Sequence, residues 1–270
     1  MKTKTLFQHC AYCCLLIGLA SANGAHAQAN AVNGYSTSPR VFNDNSGSTL
    51  TITPASPINA NPATITIRDE FTGAFTGANR HDELASINGG ATAYIHSIDD
   101  SFLFTTRLTL TDGFNAPRKE AGIRINSPIT GDVLLIVNSD AGEIVTFGGP
   151  TFRLFGNNGG GNGYTPGTSI LLGIREIGGG DGVGGVANTL EIFIDRGAGI
   201  ETTGPIAWNN LEGGPINFQV GVYAQGGANA GGDFVNALFT DTTYTVIPEP
   251  GIFALVGMGL LGLLAIRRRK

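Results

Sequence analysis

Residues 101–110 read Ser-Phe-Leu-Phe-Thr-Thr-Arg-Leu-Thr-Leu. Phe102, Phe104, Leu108 and Leu110 fall on one side of an extended chain, and Thr105, Arg107 and Thr109 on the other. A period of two is the mark of a half-buried strand. Residues 189–195 repeat it, with Leu190, Ile192 and Ile194 against Glu191, Phe193 and Asp195. Residues 216–224 do so again, with Phe218, Val220 and Val222 inward. Further strands are predicted at 64–68, 122–126, 133–138, 143–147, 170–177, 234–239 and 242–247. Glycine clusters at 156–163, 178–185 and 226–232 lie between apolar runs and read as loops. No stretch of the body holds a 3.6-residue period over three turns, and only 82–87 suits a single helical turn. No repeat of 20–50 residues is present. Many short one-faced strands predict an all-β fold, an antiparallel β-sandwich. Residues 28–61 carry Pro39, Pro54, Pro57 and Pro62, which suit a loose arm or an edge strand.

The ends differ from this body. Lys2 and Lys4 precede an apolar core at 11–20, and Ala25-His26-Ala27 gives a small-x-small cleavage pattern. Residues 1–27 therefore read as a signal peptide, with Ala25 and Ala27 as the small residues of its cleavage site. Cys10, Cys13 and Cys14 are the chain's three cysteines and all lie inside it. The exported body is thus expected to lack disulfides, thiolate metal sites and cysteine nucleophiles. At the other end, Pro248-Glu249-Pro250 precedes an apolar run at 251–266, and the chain closes Arg267-Arg268-Arg269-Lys270. The run suits a short transmembrane helix, and the terminal cations belong on the cytoplasmic side. The body, 28–247, then lies outside the cytoplasm. The net charge of the whole chain is -5, and the body is more acidic still, because most of the end charges are cations. That balance gives no footprint for nucleic acid.

The tail of tripeptide, apolar span and arginine cluster resembles the PEP-CTERM sorting signal, whose tail is also called an ice-binding protein C-terminal domain. The resemblance covers about the last 23 residues, 248–270, and implies no ice binding. It implies that an exosortase, a membrane protease, cuts near Pro248, Glu249 and Pro250. It also implies an inner-membrane anchor before processing, then the cell surface or extracellular matrix of a Gram-negative, exopolysaccharide-making bacterium. Residues 121–125, 133–147 and 170–195 loosely resemble concanavalin A-like jelly rolls, which favours a jelly-roll-like sandwich. Within the tail, Gly257-Met258-Gly259-Leu260-Leu261-Gly262 matches a dinucleotide fingerprint. It lacks the strand–turn–helix setting that such a site needs.

The body offers little recognisable chemistry. Glu191 and Asp195 share a strand face, but four residues apart they stand about 13 Å from each other, too far for paired-carboxylate hydrolysis. They read as ordinary outward carboxylates. Only His81 and His96 remain in the body, and neither has the spacing of a zinc site. His81 reads as a surface residue beside Asp82 and Glu83. Asp181 and Asp233 sit in glycine-rich loops that could supply oxygens to calcium, but the spacing fits no calcium motif and plain loops are the favoured reading; no cofactor is expected. If their strands are neighbours, Arg175, Glu191 and Gln219 form an outward polar patch, with Phe193, Tyr223 and Trp208 as aromatic platforms for a glycan. The opposite expectation is that the large aromatics are core. The leading expectation is a non-enzymatic structural or adhesive component of an exopolysaccharide matrix. A lectin-like carbohydrate-binding module and a polysaccharide-degrading enzyme are the alternatives.

Overall fold

A computed structural model describes residues 32–38, 47–96, 100–114, 116–127, 131–148, 153–155, 163–178, 188–208 and 218–247. The expected signal peptide and the expected span at 251–266 lie outside the described residues. Every regular element described is a strand: β1 Gly34–Thr37, β2 Ser48–Thr53, β3 Ala63–Phe71, β4 Phe75–Ile87, β5 Thr92–Ala93, β6 Phe102–Asp112, β7 Lys119–Ser127 and β8 Gly131–Asn138. They continue as β9 Ile144–Phe147, β10 Arg153–Phe155, β11 Ser169–Ile177, β12 Thr189–Asp195, β13 Ile200–Thr202, β14 Ile206–Ala207, β15 Gln219–Ala228 and β16 Phe234–Val246.

Two antiparallel sheets form a sandwich. The first runs β1-β4-β15-β7-β8-β9-β10, with β5 beside β4. The second runs β13-β12-β11-β6-β16-β3-β2, with β14 beside β12. The alternation decides which side chains enter the space between them. Phe102, Phe104, Leu108 and Leu110 of β6 are fully buried. So are Ile123 and Ile125 of β7, Ile192 and Ile194 of β12, and Val220 and Val222 of β15. All belong to one apolar cluster. The proline-rich arm contributes edge strands, β1 on the first sheet and β2 on the second.

Three local expectations are corrected. Residues 82–87 form part of β4, not a helical turn. Residues 79–83, Asn-Arg-His-Asp-Glu, are five polar residues in a row, and all are buried, on both faces of the strand. The glycine-rich stretch 226–232 begins as strand, because β15 runs on to Ala228 through an irregularity after Gly226. The lack of a side chain there has a use: a Cβ on Gly226 would lie 3.1 Å from Lys119 Cγ and 3.2 Å from Val235 Cγ1. Residues 234–239 and 242–247 form one strand, β16, interrupted by a bulge between Thr240 and Thr243. Asp241 takes a φ of 53° at this bulge, a conformation that Asp tolerates better than most residues. The extra residue turns Thr242 inward, where its hydroxyl lies 2.8 Å from that of Thr106. Tyr35 of β1 donates its hydroxyl proton to the Thr242 carbonyl at 2.9 Å, tying the first sheet to the second.

Close strand packing also fixes Gly122, in the middle of the first sheet. A Cβ there would collide with the carbonyl oxygen of Leu135 on β8. Gly122→Ala is expected to lower stability by about 2 kcal/mol, read from urea denaturation. Gly73→Ala, where an added Cβ meets nothing within 4 Å, serves as the control and leaves stability nearly unchanged.

Candidate functional site

The outer face of the first sheet is built by β4, β15, β7 and β8, which are neighbours in that order. Register places Asp82 opposite Tyr223, Arg80 opposite Gln225, and Gly221 between Leu84 and Arg124. Two arginines and two aspartates from three strands interlock on this face. Arg80 donates to Asp132 at 2.7 Å and to Gln225 at 2.7 Å. Arg124 donates to the other oxygen of Asp132 at 2.9 Å and also to Asp82. Asp82 accepts from the Ser38 hydroxyl at 3.1 Å as well. Burial raises the Asp82 carboxyl above the usual carboxylate range, while Arg124 and Arg80 pull the other way.

Tyr223 lies under this network. Its ring is fully buried with Leu134, Ile136 and Val145 on the same face, and the Arg80 guanidinium sits 5.2 Å from its centroid. Its hydroxyl is buried and meets no hydrogen-bond partner among the described residues. Burial and the nearby Glu120 hold its pKa well above the usual tyrosine range. Glu120 is itself raised by burial, opposed by Arg118 at 2.9 Å. Beyond this polar centre, Phe147 of β9 is 58% exposed; it stands opposite Leu134, which stands opposite Arg124.

The glycan patch expected from sequence does not assemble. Arg175 and Glu191 do face each other on β11 and β12, 3.0 Å apart, on the outer face of the second sheet. Gln219 and Tyr223 lie on β15, in the first sheet. Phe193 shares the side of Arg175 and Glu191, but it is buried because its ring fills the space over Gly173. Trp208 is a core residue, 5.4 Å from Phe218. Glu191 also accepts from Thr202 at 2.8 Å. Asp195 caps a turn by accepting from the backbone of Gly197 and Gly199.

The remaining candidates have structural partners. His81 is buried, not on the surface, and pairs with Asp69 at 2.8 Å. Asn79 donates to the same Asp69 oxygen at 2.9 Å, and these contacts hold the Asp69 carboxyl below its ordinary value although burial raises it. His96 is stacked on Phe218 at 4.8 Å, and burial pushes its pKa down to about 3. Asp233 bonds to Lys119 at 2.5 Å, so its carboxylate is committed inside the protein. Asp181 lies outside the described residues. Among the described residues, no group of three or more His, Cys, Asp or Glu is placed to hold a metal ion. The Arg80–Asp82–Arg124–Asp132 network was missed in the sequence. No strand is predicted over 79–83, because that run of five polar residues shows no apolar alternation.

Comparison with solved structures finds an alginate lyase from Corynebacterium sp. at 12% identity and a TM-score of 0.49, covering 80% of this chain and 94% of that one. It also finds an alginate lyase from Chlorella virus (10%, TM-score 0.47, covering 82% and 97%). Lectin II from Ulex europaeus is a third (8%, TM-score 0.39, covering 76% and 97%). No curated protein sequence matches.

Two outcomes test this site. Arg124→Ala leaves Asp82 buried beside one fewer cation, and stability is expected to fall by ~3–5 kcal/mol in chemical denaturation. Glu83, on the inner side of β4, has its carboxyl pushed up to about 7 by burial, despite hydrogen bonds from Thr37 and Ser56. A carboxyl raised on folding contributes stability that is complete below its unfolded value of 4.5 and is lost as pH rises through about 7. Relative to wild type, Glu83→Gln should gain ~3 kcal/mol between those two pH values, at about 1.4 kcal/mol per pKa unit. Urea midpoints taken across that window check it.

The tail supplies the family evidence that the body does not. Residues 246–270 match the PEP-CTERM protein-sorting motif, and the chain is accordingly an exported protein that carries this sorting signal.

Proposed function

We propose that the protein is a non-enzymatic structural or adhesive component of an exopolysaccharide matrix. An exosortase would process the tail, after which the body would pass from the inner membrane of a Gram-negative bacterium to the surface or matrix. The carrying observation is the closed network on the first sheet. Paired-carboxylate catalysis needs two acids whose environments set one as a proton donor and leave the other ionised and accessible. Asp82 and Asp132 instead share Arg124, and Arg80 takes the second oxygen of Asp132. Such pairing favours a firm polar surface over a reactive one.

One observation favours a lectin-like second reading. Phe147 presents an exposed ring beside this polar face, and protein–sugar contacts combine an aromatic platform with fixed polar groups. The full-length protein would be incubated with the host's own exopolysaccharide, with and without EDTA, and scored for retention and for polymer viscosity. The structural reading expects unchanged viscosity and retention that Phe147→Ala barely alters. A loss of retention of about tenfold or more in Phe147→Ala, corresponding to roughly 1.4 kcal/mol, would move the assignment to glycan binding. Loss with EDTA would place a divalent cation at the contact. Falling viscosity would overturn both readings in favour of a degrading enzyme.

A further inference from the structure

Lys119 and Asp233 form an ion pair with no access to solvent on either side chain. Lys119 opens β7, in the first sheet, and Asp233 immediately precedes β16, in the second. The Nζ atom lies 2.5 Å from Asp233 Oδ2 and also donates to the Phe114 carbonyl at 2.8 Å. The other carboxylate oxygen, Oδ1, accepts from the backbone N–H groups of Phe114 at 3.0 Å and Phe234 at 2.8 Å. The Asp233 carbonyl in turn accepts from the Phe71 N–H at 2.8 Å, so the residue is fixed on both sides. Lys119's stem passes over Gly226, where an added Cβ would lie 3.1 Å from Lys119 Cγ.

This is a nucleophile, an acyl carbon and a pair of oxyanion donors in one dry site. We propose that Lys119 and Asp233 condense to an intramolecular isopeptide bond that staples the two sheets. The ammonium first passes a proton to Oδ2, which neutralises both groups in a site without solvent access. The resulting neutral amine attacks Asp233 Cγ. Charge then builds on Oδ1, where two backbone N–H groups already point, the arrangement that stabilises acyl-transfer intermediates. A second proton passes from nitrogen to Oδ2, the Cγ–Oδ2 bond breaks, and Oδ2 leaves as water with both protons. Nζ keeps one hydrogen and is bonded to Cγ. No oxidant, reductant or activated co-reactant is needed. The product is neutral, which removes two buried charges from the interior. It would also supply a covalent link that the sequence cannot obtain from sulfur, since no cysteine follows Cys14.

The test is mass spectrometry of the processed protein purified from its host. The intact mass is expected to fall below that of the unlinked chain by one water. Trypsin should fail to cut after Lys119, and the peptide 119–124 should travel joined to the peptide that contains Asp233. Lys119→Arg should restore the lost water. If that variant does not fold, the wild-type digest still decides. Recovery of peptide 119–124 unlinked, or a normal cut after Lys119, overturns the proposal and leaves the pair as a buried salt bridge.

Discussion

Between the two sheets, near the Phe71 end of β3 and the start of β7, the interior changes from apolar to charged. Asp69, Asn79, His81, Lys119 and Asp233 are all buried there, and an uncompensated charge in such a place would be far more costly than a missing methylene. The sheets can therefore meet in only one register, the one that brings Asp69 to His81 and Lys119 to Asp233. Apolar contacts between flat sheets tolerate small slips. Paired charges do not, because a slip of one residue would leave each without its partner. The polar end thus supplies alignment, and the apolar cluster from Phe102 to Ile194 supplies most of the burial.

The same logic extends to the outer face of the first sheet. Residues 79–83 place Asn79, His81 and Glu83 inward and Arg80 and Asp82 outward, so one strand serves both the interior and the face. Arg124 and Asp132 come from the β7–β8 hairpin and complete the outer network. A change in one ion pair on β4 is therefore felt on both sides of the sheet. This coupling also explains why Glu83, next in sequence to Asp82, is raised by its neighbour's charge in addition to burial.

The strands with clean alternation were legible because their inner positions are apolar: β12 and β15 follow that rule, and β6 does so at every inner position but Thr106. The run 79–83 was not legible, since its inner positions are polar and their partners lie elsewhere in the chain. Lys119 and Asp233 are 114 residues apart, and no local pattern announces such a pair. The glycan patch failed for a related reason. Alternation says which face of a strand a residue occupies, not which sheet the strand joins, and Arg175 and Gln219 belong to different sheets. Burial of Trp208 and Phe193 followed the ordinary tendency of large aromatics to fill space. The sorting tail was the most legible part, because its signal is a linear motif that needs no fold.

Sheet edges complete the physical picture. The first sheet ends in β1 and β10, of four and three residues. The second ends in β13, of three, and β2, of six. Short edges offer few unpaired backbone groups to a neighbouring molecule, which limits edge-to-edge association. The longest edge, β2, alternates Thr49, Thr51 and Thr53 outward with half-buried Leu50 and Ile52 inward, so its exposed side is hydrated. Edges of this kind leave contacts with other molecules to the broad sheet faces. Those faces differ: one is locked by arginine–aspartate pairs beside an exposed Phe147, and the other sets Thr51, Thr64, Thr66, Thr105 and Thr109 among the charged side chains of Arg68, Glu70, Arg175 and Glu191. One side is thus closed by a buried arginine–aspartate network, and the other carries hydroxyls together with the more exposed Arg68–Glu70 and Arg175–Glu191 pairs.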